Sequence, residues 1–277
     1  MSALSLDILG PAFVAGLLVL ATHVPLGQIV LARGIIFIDI ALAQVAALGV
    51  VFGTMMWGVS GWGVQFSAIG AAVGCALFLT WTDKRFRASQ EAIIGVVYIV
   101  AAAVQIVLLS YSPTGAEYLK ELLVGQILWV SPTQLLVIGL IYAAVIAVWY
   151  FRDLTNERVL FYGVFAVAIT ASVQVVGVLL VFASLIIPAL ATQQAPARWR
   201  LAIAFNIGAA GYLAGLIVSA ILDVSSGAAI VCTLAITAAV AAKLVSRKPK
   251  SAEARERSLV KALQDEIQTR LTKTRVA

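Results

Sequence analysis

Residues 159–193 form an apolar stretch of 35 positions without one charged side chain. A water-soluble fold has no place for such a run. A bilayer core takes about 20 apolar residues per helical crossing, with a range of roughly 17–25. Seven more stretches of crossing length accompany it, at 8–32, 35–57, 65–82, 92–111, 133–151, 200–222 and 225–245. Charged residues are 12% of the 277 and hydrophobic residues 62%, where a soluble domain carries about 25% charge. Mean hydropathy is +1.04. Lipid leaves backbone polar groups no water to bond, so the spanning structure is an α-helix or a closed barrel. Runs this long and this apolar predict an all-α, polytopic transmembrane helical bundle in a multi-pass membrane protein.

The long run is either one very long helix, giving eight spans, or two short ones of about 17 residues each, giving nine. The distribution of Lys and Arg decides between them, because cytoplasmic loops carry the excess. Residues 247–277 hold nine Lys/Arg against four Asp/Glu, five of the six net positive charges of the chain. With this basic tail inside and 159–193 counted as two spans, Arg33, Lys84, Arg85, Arg87, Arg152, Arg158, Arg198 and Arg200 all fall inside. Only Lys120 is left outside, beside Glu117 and Glu121. With one span, Arg33, the 84–87 cluster, Arg152 and Arg158 would move outside. The expectation is therefore nine spans with the N-terminus outside and the C-terminus cytoplasmic. The break is placed near Gly177, where glycine relaxes the backbone limits.

The division is a transmembrane domain over 1–246 and a basic cytoplasmic tail over 247–277. In the tail, Leu259, Leu263, Ile267 and Leu271 recur at four-residue spacing. The tail is either an amphipathic helix on the membrane or a partner, or a loosely ordered anchor. Ser112-Pro113-Thr114-Gly115 forms a turn, followed by an outer-surface helix from Glu117 to Trp129. Pro132 then starts the next span. Met1 to Leu9 lacks the basic region of a signal peptide. Cys75 and Cys232, each inside an apolar run, read as small core residues. No GxxxxGK[ST] phosphate loop occurs, so any ATP that drives this chain binds elsewhere.

Three stretches resemble the metal-type ABC permeases, the membrane subunits of zinc, manganese and iron importers. Residues 31–49, with Ile38-Asp39-Ile40-Ala41-Leu42-Ala43-Gln44 at their centre, are similar to the family's "RR…GDALSHA…PG" helix. Residues 122–132 are similar to "LFGNILGVSP", and 172–189, from Ser172 through Gly177 to Pro188, to "SLQVVGVLLVIALLIIPA". Glu91 to Gly95 and Leu222 to Gly227 are weaker echoes. The matches keep the family's order. The resemblance implies an import pathway between two permease subunits in a homodimer, two cytoplasmic ATPase subunits and an outer metal-binding protein. It implies a divalent metal, zinc or manganese, as cargo and no permanently bound cofactor. The bilayer is the other partner, and no nucleic acid is expected. The chain itself would do no covalent chemistry.

Aligned on Ala41-Leu42, Gln44 takes the family's His position and Ile40 its Asp position, with Asp39 one residue early. Asp39 and Gln44 lie about 140° apart around a regular helix. Gln is also a poor zinc ligand. Asp39, Gln44 and His23 are the candidate metal-pathway residues, since ionisable groups within spans face a cavity or a partner. Solvation of Asp39 near the inner surface, and helix-to-helix hydrogen bonding by Gln44 and His23, are the alternatives. Gln174 and Gly177 mark the break and a cavity lined by freed carbonyls. Arg152, Asp153, Asn156, Glu157 and Arg158 form the inner loop expected to meet the ATPase; it echoes the family's "PELARALG" element loosely and is shorter. Glu91 suits a helix N-terminus. Two other readings stay open: a permease of the same fold for a metal chelate or other small cargo, and an ATP-independent secondary transporter.

Overall fold

Residues 6–58, 62–111, 115–152 and 157–245 are described by a computed structural model, and all regular structure among them is helical. The helices are α1 (Leu6–Arg33), α2 (Ile38–Trp57), α3 (Trp62–Arg85), α4 (Gln90–Leu109), α5 (Gly115–Val124), α6 (Pro132–Phe151), α7 (Arg158–Ala191), α8 (Ala197–Leu222) and α9 (Ser226–Val245). Eight of them are long and apolar enough to cross a membrane; the ten-residue α5 is not.

The expected break falls where the sequence placed it. α7 is helical on both sides of Gly177, which alone leaves the helical region at φ 78°, ψ 162°. Contacts with α1 show what this break does to the chain's direction. Arg33 lies 4.1 Å over the ring of Phe161, and His23 is bonded to Ser172. The first arm of α7 thus runs antiparallel to α1. Past Gly177 the order reverses: Gly27 packs against the carbonyl of Leu185 and Ala189, and Gln28 Nε2 donates to Thr192 Oγ1 at 3.1 Å. A straight helix would carry Leu185 about 20 Å beyond Ser172, to the level of the first turns of α1 and far from Gly27. Instead the second arm descends the way the first arm rose. The eight apolar helices therefore give nine segments along the bundle, and α1 begins at the end of the bundle opposite the one where α9 finishes. At about 1.5 Å per residue the second arm is roughly 20 Å long, short of a hydrocarbon core of about 30 Å.

The turn at Gly177 is closed by protein. Gly125, itself at φ 72°, seats its backbone against that of Val176 and Gly177. The Gln126 N–H donates to the Val175 carbonyl at 3.3 Å. A Cβ at either glycine would collide with the other's backbone. The surface helix expected to reach Trp129 therefore ends at Val124. Gly125 turns the chain, Ile127–Trp129 make one 3₁₀ turn, and Trp129 is exposed. Ser131 then caps α6, its Oγ accepting from the Gln134 N–H while its own N–H donates to Gln134 Oε1, with Pro132 in the first turn.

α7 is the centre: 72% of its most apolar window is buried, against 17% for α6, 22% for α4 and 28% for α9. Around it, small residues let neighbours approach closely. Gly49 and Gly53 of α2 receive Ala68 and Val64 of α3, and Gly211 and Gly215 of α8 receive Leu234 and Ile230 of α9. Without a hydrophobic drive between helices in lipid, such packing carries much of the association. Cys75 is buried as expected, but Cys232 is exposed; α9 is peripheral and turns this position outward, so an apolar run does not by itself mean a core position. The tail at 247–277 lies outside the described residues.

Replacing Gly177 with alanine forces a non-glycine residue to positive φ and into Gly125. The expected cost is about 1–3 kcal/mol from strain alone, read as a lower melting temperature in detergent, with Gly125→Ala behaving alike. A Gln28→Cys/Thr192→Cys pair should be joined by a short bifunctional thiol reagent that replaces the lost length of the Gln28 side chain; no cross-link would mean that α7 does not fold back.

Candidate functional site

At one end of the bundle the chain gathers Arg33, Asp83, Arg87, Glu91 and Arg158 around one cavity. Arg198 and Arg200 open α8 there, because Thr192, just before it, meets Gln28 near the end of α1. The sequence expected these cations on one side, and the helix contacts place them at one end.

Asp39 sits in the first turn of α2 with no exposed surface, and neither carboxylate oxygen has a hydrogen-bond partner among the described residues. An unpaired buried carboxyl group is costly in any apolar setting. Gln44, one and a half turns on, is also buried and donates from Nε2 to Gln105 Oε1 on α4. Gln105 leaves its own Nε2 without a partner. Since α2 is unbroken from Ile38 to Trp57, Asp39 and Gln44 address different faces, as their spacing implied.

His23 is fully buried in α1 and bonded at both ring nitrogens. Nδ1 lies 2.9 Å from the Val19 carbonyl and 3.0 Å from Thr22 Oγ1; Nε2 lies 3.1 Å from Ser172 Oγ. Ser172 Oγ donates to the Ala168 carbonyl and lies 2.5 Å from the Tyr142 hydroxyl. This network joins α1, α6 and α7. A second buried pair, the Tyr212 hydroxyl and Ser184 Oγ at 2.7 Å, joins α8 to the second arm of α7. The three candidate pathway residues share no hydrogen bond with each other. Among the described residues no three of His, Cys, Asp or Glu come together in a metal-holding group.

Gln174, three residues before the turn, exchanges two hydrogen bonds with Gln65 of α3, at 3.0 and 3.2 Å. Both line a groove of about 520 Å³ between α3, α6 and α7, otherwise walled mostly by apolar side chains such as Val137 and Val167. Thr170 Oγ1 is buried in its wall without a partner among the described residues. In the inner loop, Arg152 pairs with Glu157 at 3.6 Å, both well exposed, and Arg158 pairs with Asp83 of α3 at 3.4 Å. Asp153 and Asn156 lie outside the described residues.

Sequence reasoning missed Gln65, Gln105, Tyr142 and Ser172, which complete these networks. Polar side chains inside apolar runs are a signal for them, but their pairing follows only from the helix packing. For the Gln44–Gln105 pair, Gln44→Leu or Gln105→Leu alone strands an amide and should cost about 0.6–1.7 kcal/mol. The double Leu variant should recover most of that, because both partners are then apolar. A double-mutant cycle on melting temperature checks this.

Comparison with known proteins fits this architecture. The ABC 3 transport family model matches residues 5–157 and 153–246. The manganese transport system membrane protein MntC of Halalkalibacterium halodurans is 30% identical over 254 residues, covering 82% of this chain and 84% of its own. MntC of Listeria innocua is 27% identical, covering 74% and 79%. Among solved structures, PsaBC from Streptococcus pneumoniae in complex with Fab superposes with a TM-score of 0.70 at 19% identity, covering 90% of this chain and 94% of that one. An inward-facing conformation of a transporter described as metal-chelate type superposes at 0.61 with 18% identity, covering 84% and 83%. These last two show a shared fold. With the family model spanning nearly the whole bundle and a relative at 30% identity, the chain belongs to the ABC 3 transport family and is a multi-pass membrane permease subunit.

Proposed function

We propose that this permease carries manganese, with zinc as the runner-up, across the bacterial inner membrane as part of an ATP-driven importer. The observation that carries the reading is Asp39: a fully buried carboxyl group without a partner among the described residues, on a span, in the segment that resembles the family's metal helix. Asp39 offers carboxylate oxygens, and the Gln44–Gln105 amide pair lies further along α2 on another face. Oxygen donors of this kind suit manganese better than zinc, which prefers Cys and His. The relatives named for manganese transport support the same ion. The ion is cargo, held briefly, and a site with few ligands releases it readily.

In this reading, ATP is hydrolysed on separate cytoplasmic chains, and an outer binding protein delivers the ion. Two copies of the permease flank the path and alternate between outward and inward access. The end rich in Arg and Lys is cytoplasmic by the positive-inside rule, which sets the N-terminus outside and the C-terminus inside. Arg152, Glu157 and Arg158, with Asp153 and Asn156, form the loop that meets the ATPase. Arg158 opens α7, so movement of the loop reaches the arm that ends at Gly177.

The test is uptake of radioactive manganese by cells that express the chain with its cognate ATPase and binding protein. Asp39→Asn keeps the shape and removes the charge; it should lower uptake by roughly tenfold or more at equal membrane abundance. Unchanged uptake would remove Asp39 from the path. A second reading, a metal chelate as cargo, draws on the likeness to the metal-chelate-type transporter. It predicts no uptake of the free ion and uptake of a chelated one.

A further inference from the structure

The polar cavity at the basic end is used neither by the cargo path nor by the break. It measures about 490 Å³ and is lined by Arg33, Asp83, Arg87, Gln90, Glu91 and Arg158. The N-terminus of α7 opens on it at Arg158 and has no side-chain cap among the described residues, whereas α4 follows directly on the 3₁₀ turn Arg87–Ser89, whose Arg87 carbonyl accepts the Gln90 N–H. Unsatisfied N–H groups and the helix dipole favour an anion at an open end like that of α7.

Two of its acceptors are unanswered. Gln90, 3% exposed, gives its Nε2 to the Leu79 carbonyl and the Tyr162 hydroxyl, but its Oε1 has no partner among the described residues. Glu91 Oε1 accepts from the Phe37 N–H at 3.2 Å, while the buried Oε2 has no partner among them. The cavity thus offers cations and a helix end to an acceptor, and two buried oxygens to a donor. A phosphate ester that carries free hydroxyls presents both. Trp81 and Phe86, exposed and in edge-to-face contact at 5.9 Å, flank Asp83 in the chain, and Phe86 directly precedes Arg87. Aromatic residues so placed mark the membrane interface, where lipid headgroups lie.

We propose that this cavity binds a phosphoglycerol group, as the headgroup of an anionic phospholipid. The phosphate sits against Arg87, the start of α7 and Arg158, which it shares with Asp83, and the glycerol hydroxyls donate to Gln90 Oε1 and Glu91 Oε2. Basic pockets between helices on the cytoplasmic side take lipid headgroups in this way. The bound headgroup would join the starts of α4 and α7 to the junction of α1 and α2.

The test uses the full chain in nanodiscs of phosphatidylcholine alone or mixed with phosphatidylglycerol, read by native mass spectrometry and melting temperature. The expected result is one phosphatidylglycerol retained per chain through delipidation, with a higher melting temperature than in phosphatidylcholine. Arg87→Gln should cut retention about tenfold, the loss of one charge-assisted hydrogen bond, with its melting temperature in phosphatidylcholine unchanged. Arg87→Lys should keep most of it. Competition by glycerol 3-phosphate would show that a soluble ester satisfies the same site. The proposal is overturned if wild type retains phosphatidylglycerol no better than phosphatidylcholine and glycerol 3-phosphate neither stabilises nor competes. Equal retention by Arg87→Gln and wild type overturns it too.

Discussion

Hydrocarbon offers no water to a broken backbone, so a helix that stops at membrane depth needs protein to complete it. Gly177 is such a stop, and the Gly125–Gly177 contact is what makes it tenable. Gln126 supplies the missing donor to Val175, and two glycines at positive φ let the backbones meet. Much of the architecture follows from this contact. It turns one apolar run into two antiparallel arms, fixes the reach of α5, and sets the end of the bundle at which α8 begins. It also delivers Ser184 to Tyr212 and Thr192 to Gln28.

The polar side chains of the bundle divide by how completely they are satisfied. The His23–Ser172–Tyr142 network and the Tyr212–Ser184 pair are closed, and they hold helices in register. Asp39, Gln105, Gln90 and Glu91 each leave an oxygen or an amide unanswered. Closed networks at membrane depth favour rigidity, whereas open ones favour a ligand or a second state. Among the described residues, the unanswered groups of α2 and α4 include both of their first turns, while Thr170 Oγ1 on α7 and Arg200 Nε on α8 add two more; the closed networks lie on α1, α6, α7 and α8. The first turns of α2 and α4 are where such open groups gather, and the central helix carries both kinds.

The turn at Gly177 was legible because two independent constraints met there: an apolar run too long for one crossing, and arginines that only a double crossing places at one end. The cap of α6 was legible from Pro132 because its geometry is local. The end of α5 was not, since Gly125 turns the chain in order to cover a residue more than fifty positions away. The partners of Gln44, Gln174 and His23 were equally hidden. One sequence shows that a buried amide or imidazole needs a partner, but which helix brings it is a matter of packing. Cys232 was misread for a related reason: lipid-facing and core-facing apolar residues look alike in sequence when both surroundings are apolar.

The second arm of α7 is too short to hold its place in a bilayer by itself. It must enter together with the first arm as a preformed hairpin, its tip leading. When that tip arrives, the groups that shield it have already been made, because Gly125 and Gln126 precede Gly177 in the chain. Synthesis from the N-terminus therefore delivers the cover before the exposed turn. A permuted chain that began at α6 would have to insert the hairpin bare.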